Sequence, residues 1–141
     1  MIIRGFFKGS NPFVSAEISL PDIPGQASLV EMALDTGSSL TVLRRSVIDN
    51  LGVDVSTDFA DRPRESARGI GGREEYVRLR VNLRFIDSVP APERPYTVFV
   101  RVALTPDDAE SVPSLLGMDV MDSFRLTVFA AENRVDLELP D

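Results

Sequence analysis

The chain has 141 residues, of which 43% are hydrophobic and 26% are charged, with a formal net charge of −7. This composition predicts one globular domain, residues 1–141, that is large enough to enclose a hydrophobic core. Because the sequence contains no Cys and no His, it excludes disulfides, thiol nucleophiles, Ser-His catalysis and nearly every zinc site, and its negative charge argues against nucleic acid as a partner.

The pattern of apolar residues argues against a membrane protein. No apolar run is long enough to span a bilayer, so we expect no membrane partner. The first residues, Met1–Lys8, lack the apolar stretch and cleavage site of a signal peptide and predict a strand instead. A cytoplasmic location is the resulting expectation.

Alternating apolar and polar residues predict a chain made almost entirely of β-strands. The predicted strands cover residues 1–8, 14–20, 29–34, 77–85, 96–104, 124–128 and 135–139. Two short helices are predicted, one at Arg44–Leu51 that ends at Gly52 and one at Met118–Ser123. The polar segments 54–65, 87–95 and 105–113 predict loops. Together these elements predict an all-β domain, closed as a barrel or packed as a sandwich, with one or two short helices.

One carboxylate stands out against this background. The sequence Asp35-Thr36-Gly37-Ser38 follows directly on the apolar strand Leu29–Leu34. A buried carboxylate beside such a strand costs free energy unless it is hydrogen-bonded or used by a functional site. A hydrogen-bonded turn residue is the structural alternative for Asp35.

Two further motifs follow in the chain. The first is the glycine cluster Gly69-Ile70-Gly71-Gly72, which precedes a predicted strand, and the second is Leu115-Leu116-Gly117, which precedes the second predicted helix. Alone, the glycine cluster is equally explained by an ordinary hairpin turn, and the two leucines belong to the core under any interpretation. The functional inference therefore depends on the ordered set of three motifs.

In this order and at roughly this spacing, the motifs resemble those of the retropepsins, the single-domain aspartic proteases of retroviral type, and especially their bacterial relatives. The resemblance extends from about Phe13 to Val128. It implies a retropepsin-like closed β-barrel that is active as a two-fold homodimer. It also implies an aspartic endopeptidase that cleaves peptide or protein substrates with no cofactor and no metal ion. Because Asp-Thr-Gly occurs once, Asp35 of each copy would supply one of the two catalytic carboxylates.

The resemblance also implies roles for residues around Asp35. Thr36 would hydrogen-bond across the dimer axis, Gly37 would allow a tight turn close to the catalytic water, and Ser38 could hydrogen-bond Asp35 of its own chain. A flap over the substrate would have its tip at Arg68, Gly69, Ile70, Gly71 and Gly72, with the Ile70 amide reaching the substrate through a water. A ψ-shaped loop behind Asp35 would consist of Leu115, Leu116 and Gly117.

The chain departs from the retroviral pattern in three places. Arg68 stands where viral flaps often have Gly, and Met118-Asp119 replaces a segment in which an Arg often follows the last Gly. The chain also continues into a hairpin, Phe124–Leu139. This extension leaves open whether the sheet at the dimer interface is built from the same strands as in the viral enzymes.

Two alternatives to an active protease stay open at this point. One is a catalytically weak dimer of the same fold that binds peptides or acts as a scaffold. The other is an unrelated β-barrel binding protein in which the Asp-Thr-Gly motif is coincidental.

Overall fold

The structure, a computed structural model, describes residues 1–69, 72–92, 94–105 and 112–140. Within these ranges it contains eleven strands, three short helices and one 3-10 turn. The strands are β1 (Ile2–Lys8), β2 (Asn11–Leu20), β3 (Ile23–Leu34), β4 (Val42–Leu43), β5 (Arg64–Gly69), β6 (Gly72–Phe85), β7 (Ser88–Val89), β8 (Tyr96–Ala103), β9 (Ser114–Leu116), β10 (Arg125–Phe129) and β11 (Arg134–Glu138). The helices are α1 (Arg45–Asp49), α2 (Val55–Asp58) and α3 (Met118–Met121), and the 3-10 turn is Ala130–Glu132.

Six of the strands form a closed ring. Their order is β2-β3-β9-β4-β8-β6, and β6 pairs with β2 to complete the circle. The pairs β3–β9 and β4–β8 are parallel, whereas the other pairs of the ring are antiparallel. This closure confirms the predicted all-β barrel, which leaves the strands of the ring without a free edge.

The core lies inside this ring, and the sequence of β6 shows why. Its alternate residues Val77, Leu79, Val81, Leu83 and Phe85 are all at most 2% exposed. The residues between them include Arg78, Arg80 and Arg84, which point to solvent. Because side chains of a strand alternate between its two faces, this period of two places one apolar face inward. Each such large side chain contributes roughly 1.5–3 kcal/mol of stability through burial.

Two extensions project beyond the ring. On one side, β5 pairs with β6 and forms a hairpin at the end of the sheet. On the other side, β1 pairs with β2, β11 pairs with β1, and β10 pairs with β11. The short strand β7 also pairs with β1.

The predicted helix at Arg44–Leu51 is confirmed, because α1 lies within it and buries Val47 and Ile48. Gly52, which follows, has a φ of +76°, as expected for a residue that ends a helix in the left-handed conformation. The second predicted helix, at residues 118–123, corresponds to α3.

The prediction of a loop over residues 54–65 was wrong. Its first half forms α2, in which the Asp54 side chain caps the helix by accepting a hydrogen bond from the Ser56 amide. Val55 is almost fully buried, so packing stabilises this single turn. The last two residues of the segment, Arg64 and Glu65, belong to β5, which pairs with β6. The described residues therefore contain three short helices, whereas the sequence predicted one or two.

Most of the acidic segment, residues 106–111, lies outside the described residues. Among the helices that the structure does describe, none is both long and apolar enough to cross a membrane.

Candidate active site

Asp35 lies at the carboxyl end of β3, at a position that two neighbouring strands define. β3 runs parallel to β9, with Leu34 opposite Leu116, and the Asp35 amide continues this ladder by donating to the Leu116 carbonyl over 3.0 Å. Val42 of β4 pairs with Leu115 on the other side of β9. The predicted Leu115-Leu116-Gly117 segment thus lies between β3, which precedes Asp35, and β4, which follows it. The hydrogen bond from the Asp35 amide to Leu116 fixes the backbone that carries the carboxylate.

The loop that follows Asp35 folds back on its carboxylate. The Gly37 amide donates to Oδ1 of Asp35 over 2.9 Å, and the Ser38 amide donates to the Asp35 carbonyl over 3.2 Å. Asp35 is half-buried, whereas Thr36 and Gly37 are exposed. The turn therefore orients one carboxylate oxygen through its own backbone and leaves the outer surface of the loop open to solvent.

The Ser38 hydroxyl does not make the predicted hydrogen bond to Asp35. It donates instead to the Leu40 carbonyl over 2.7 Å. Because Ser38 is only two residues from Leu40 in a tightly folded loop, its hydroxyl satisfies the loop backbone rather than the carboxylate. Ser38 therefore supports the shape of the loop, and the expected contact with Asp35 is corrected.

Gly117, directly before α3, packs against the backbone of the loop that connects β3 and β4. A Cβ atom added to it would lie 2.5 Å from the Leu40 carbonyl carbon, 2.6 Å from the Leu40 oxygen and 2.9 Å from the Thr41 nitrogen. These are backbone atoms, which cannot rotate away. Only glycine fits between the Asp35 loop and α3 at this position.

A second network around Thr41 and Asp119 holds the same junction together. The Thr41 hydroxyl, in a residue that is 1% exposed, donates to Oδ1 of Asp119 and accepts from the Gly117 amide, over 2.7 and 3.1 Å. The Thr41 amide donates to Oδ2 of Asp119, and the amides of Met118 and Asp119 donate to the carbonyls of Ser38 and Ser39. The Asp35 loop is therefore bound to the first turn of α3 by both backbone and side chains.

Sequence reasoning missed Thr41 and Asp119 as site residues. Asp119 was noted only as a departure from the viral pattern. Its partner is 78 positions away in the chain, so no local pattern could pair the two. The available signals were a single Thr directly before the apolar strand β4 and an acidic residue in the first turn of a helix, where carboxylates are favoured.

A largely buried ion pair connects Arg44, which follows β4, to Glu74 of β6, two residues after the predicted flap tip. The Arg44 guanidinium donates two hydrogen bonds to the Glu74 carboxylate, over 2.7 and 3.2 Å, and the Tyr76 hydroxyl donates to the same carboxylate over 2.9 Å. The Arg44 amide donates to Oγ of Ser114. Arg44 thereby links β6 to Ser114, the first residue of β9.

The protonation of this cluster follows from its contacts. The hydrogen bonds from Arg44 lower the pKa of Glu74 below its ordinary value of 4.5, although burial opposes this effect, and the Tyr76 hydroxyl lowers it further. Burial raises the pKa of Tyr76 above its ordinary value of 10.0, and the neighbouring Glu74 adds to the shift. The cluster therefore combines an ionised carboxylate, a guanidinium and a neutral phenol near neutral pH.

The predicted flap corresponds to the hairpin of β5 and β6. Its register runs from Arg64 opposite Val77 to Gly69 opposite Gly72. Arg68, Gly69 and Gly72, which were predicted at the flap tip, belong to the paired strands themselves. The other two predicted tip residues, Ile70 and Gly71, lie outside the described residues.

Within the described ranges, which omit Asp107, Asp108 and Glu110, no group of three or more acidic residues is arranged to hold a metal ion.

Comparisons with known proteins agree with this geometry. Residues 22–120 match the family described as aspartyl protease. The fold is similar to that of a retropepsin-like aspartic protease from Rickettsia conorii, with a TM-score of 0.61 and 16% identity over 97% of each chain. It is also similar to the EIAV protease complexed with an inhibitor, with a TM-score of 0.51 and 19% identity over 81% of this chain and 88% of that chain. No curated protein matches the sequence.

The family match spans well over half of the chain. It includes the Asp35 turn, the hairpin of β5 and β6, and the Leu115–Gly117 segment, which are the three motifs that the sequence brought forward. The two solved structures are similar to this chain in overall fold. The chain therefore belongs to the aspartyl protease family, as a peptide hydrolase with a retropepsin-like fold.

Proposed function

We propose that two copies of this chain form a two-fold dimer in which the two Asp35 carboxylates face each other and activate one water for peptide hydrolysis. The observation that carries this proposal is the single carboxylate at the end of β3, which accepts a hydrogen bond from the Gly37 amide, while the Asp35 backbone amide donates to the Leu116 carbonyl. The chain contains one Asp-Thr-Gly, and a water-activating dyad needs two carboxyls. A second copy supplies the missing one on a shared axis.

The chemistry of the dyad follows from its electrostatics. Two carboxyls about 3 Å apart cannot both be ionised, so they share one proton, as is known for aspartic-protease dyads. The ionised Asp35 takes a proton from the water as its oxygen attacks the peptide carbonyl carbon. The protonated Asp35 gives its proton to the carbonyl oxygen, and a tetrahedral diol forms without a covalent bond to the protein.

Collapse of the diol completes the hydrolysis. The Asp35 that took the proton of the water donates it to the leaving nitrogen, and the other Asp35, now ionised, removes a proton from a diol hydroxyl. The C–N bond breaks, a carboxylic acid and an amine are released, and the dyad again holds one proton. The lack of Cys and His in the sequence supports this route, because no thiol or imidazole nucleophile system competes with it. The exposed face of the Asp35 loop supports access by a substrate.

The hairpin of β5 and β6 would cover the substrate as a flap. Its end carries Gly69 and Gly72 in opposed positions, and glycines suit a segment that moves between conformations. The Arg44–Glu74 pair links this hairpin to the body of the barrel at Glu74, which lies two residue pairs from the Gly69–Gly72 end. Extended peptide segments are the class of substrate that such a cleft would accept, with Thr36 bonding across the axis beneath them.

The test of the proposed function is Asp35→Asn. Asn keeps the shape of the side chain but cannot accept the proton of the water, so we expect a loss of at least about 10³-fold in kcat/KM on an unbiased peptide library. Asp61→Asn is the matched control, because Asp61 is an exposed residue in a turn away from the site, and it should keep full activity. A statine-type transition-state mimic should inhibit the wild type.

Mixed dimers distinguish a shared site from two separate ones. Co-refolded wild-type and Asp35→Asn chains should form hybrids without activity, so that activity falls with the square of the wild-type fraction. A linear fall would refute the shared dyad. Turnover by purified Asp35→Asn close to that of the wild type would refute the role of Asp35 altogether.

A further inference from the structure

The outer face of β6 and β8 carries an exposed phenylalanine among arginines. Phe99 lies opposite Arg80, which pairs with Asp22, and Arg78 lies opposite Arg101. Directly opposed residues of an antiparallel pair share one face of the sheet. An open groove of about 400 Å³, which we name the Phe99 groove, is lined by Arg62, Pro63, Glu65, Arg78 and Phe99. Its volume falls within the range of about 300–1,000 Å³ that is usual for binding sites.

Among the described residues around the Phe99 groove, guanidinium groups outnumber carboxylates. Glu65 is the shared ion-pair partner of Arg78 and Arg101, so that one carboxylate faces two guanidiniums. The Arg78 side chain remains 52% exposed beside this partner. The Arg62 guanidinium lies over the ring of Phe59, 5.6 Å from its centre. Because the whole chain has a net charge of −7, the groove is a local positive region on an acidic protein.

The same face of the sheet leads to the candidate active site. Tyr76 precedes Arg78 by two residues, so both side chains lie on one face of β6. The Arg101 guanidinium lies 5.8 Å from the centre of the Tyr76 ring. Tyr76 and Leu115 belong to one small apolar cluster, and the residue after Leu115 accepts the hydrogen bond from the Asp35 amide. The groove therefore lies on the face of β6 that extends toward Asp35.

We propose that the Phe99 groove is a docking site for substrate proteins, outside the cleft in which the peptide bond is cleaved, and that it binds an acidic segment with one apolar or aromatic side chain. This inference rests on the proposed function, because it assigns the docked segment to the substrate. The apolar side chain packs against Phe99, which is 60% exposed in the free protein. Carboxylates on either side of it pair with Arg62 and Arg78.

The chemistry of the groove selects this occupant. A guanidinium binds a carboxylate through two parallel hydrogen bonds, so Arg62 and Arg78 favour acidic side chains. A basic segment would meet the surplus of positive charge and be repelled. Phe99 with charged residues around it matches the apolar centre and polar rim of protein interfaces. A long polyanion such as a nucleic acid is less well matched, because the chain as a whole is acidic.

A docking site outside the cleft has a defined kinetic effect. It holds the substrate without contacting the bond that is cleaved, so the ground state and the transition state are stabilised equally. Uniform binding of this kind lowers KM and leaves kcat unchanged. Substrates that carry the acidic segment should therefore differ from those without it in KM.

The first experiment measures binding directly. The probe is a fluorescein-labelled peptide of Asp and Glu residues around one Phe, and the protein is Asp35→Asn, which cannot cleave it. Phe99→Ser in this background should weaken binding by about tenfold, measured by fluorescence anisotropy. Because Phe99 is largely exposed, the variant should fold. Leu29→Ser, which removes an exposed apolar side chain from β3, is the matched control and should bind as tightly as the parent protein.

The charges of the groove are tested in the same assay. Arg62→Gln should weaken binding, whereas Arg84→Gln should not, although both variants lose one positive charge and Arg84 is an exposed residue of β6. Added salt should weaken binding of the probe, because exposed ion pairs are screened. A peptide with Lys in place of every acidic residue should not bind.

The second experiment measures cleavage by the protein with an intact Asp35. A short peptide that the protein cleaves is compared with the same peptide joined through a flexible Gly/Ser linker to the acidic segment, at either end. The segment should lower KM by about tenfold and leave kcat unchanged. Phe99→Ser should abolish this difference, and Leu29→Ser should preserve it.

Three results would overturn the location or the occupant of the docking site. Displacement of the probe by a statine-type mimic would place the probe in the cleft rather than in the Phe99 groove. Equally tight binding of a single-stranded oligonucleotide would identify the groove as a nucleic-acid site. Loss of the dimer in sedimentation of Phe99→Ser would make this face a contact between copies.

The outcomes also separate this proposal from the proposed function. A lower KM with the acidic segment that Phe99→Ser abolishes supports the docking site. Asp35-dependent cleavage that the segment does not affect overturns the docking site and leaves the proposed function standing. Binding of the probe by a protein that cleaves no peptide overturns the proposed function and, with it, the assignment of the docked segment to a substrate.

Discussion

Replacement of Gly117 by alanine is the most direct test of how the Asp35 loop is held. The new Cβ atom would lie 2.5 and 2.6 Å from the carbonyl carbon and oxygen of Leu40. Heavy atoms in ordinary contact are about 3.5 Å apart or more, so the loop backbone would have to retreat by about 1 Å. Overpacking of this kind costs about 1–3 kcal/mol. Loss of the Gly117 hydrogen bond to Thr41 adds about 1 kcal/mol.

We therefore expect Gly117→Ala to lower the free energy of unfolding by about 2–4 kcal/mol. For a chain of this length, that corresponds to a fall in Tm of about 8–16 °C. Because the retreating loop carries Asp35, turnover should fall as well, by about 100-fold for a displacement near 1 Å. Denaturation and kcat should both be measured at one fixed protein concentration, since dimer dissociation changes the apparent stability.

Gly52→Ala is the control for the general cost of replacing glycine. Gly52 has a φ of +76° and no atom within 4 Å of the added Cβ, so the change costs backbone strain of about 1–2 kcal/mol without a clash. It should leave turnover unchanged. If Gly117→Ala is as stable and as active as the wild type, the close approach of α3 to the Leu40 backbone does not hold the site as argued here.

Three further substitutions test the contacts around the site. Glu74→Gln should destabilise the fold by about 1.5–3 kcal/mol near neutral pH, because the charge-assisted bonds to Arg44 are lost. Since those bonds lower the pKa of Glu74 below 4.5, the stability difference from the wild type should persist at pH values above 4.5 and shrink as acid protonates the folded carboxylate. Thr41→Val keeps the side-chain shape but leaves the Asp119 carboxylate and the Gly117 amide without their hydroxyl partner, so both stability and kcat should fall. Ser38→Ala should reduce stability by about 1 kcal/mol and leave the pH profile of kcat/KM unchanged, because the hydroxyl donates to Leu40.

Each of these expectations has an outcome that contradicts it. A stability difference for Glu74→Gln that grows toward acid pH would reverse the sign derived from its lowered pKa. Wild-type kcat in Thr41→Val would show that the buried hydroxyl does not position the loop. A pH profile of Ser38→Ala that moves upward would show that Ser38 bonds Asp35 after all, as the sequence had suggested.

The sequence predicted those parts of the fold that local periodicity encodes. The alternation of Val77, Leu79 and Val81 specifies a strand with one buried face, whatever its partners are. The Asp35 turn could likewise be located, because an acid directly after an apolar strand is a local and costly feature. Resemblance supplied the further step from these positions to a closed barrel.

Long-range contacts explain what the sequence did not reveal. The bonds between Arg44 and Glu74 and between Thr41 and Asp119 join residues 30 and 78 positions apart. No period or spacing connects them. Ser38 shows that a contact between residues close in the chain can also escape prediction. Its hydroxyl is three residues from the Asp35 carboxylate and has several acceptors within reach. Only the folded loop decides that it donates to the Leu40 carbonyl.

The closed ring of six strands has a mechanical consequence for the hairpin of β5 and β6. Opening the hairpin breaks the pairing of β5 with the first residues of β6, while the bonds that close the ring lie farther along the strand, where Leu83 and Phe85 pair with β2. A movement at the free end therefore breaks only hydrogen bonds between β5 and β6 and leaves the strand pairs of the closed ring intact. For the proposed flap, opening and closing to admit a peptide therefore need not lower the resistance of the barrel to unfolding.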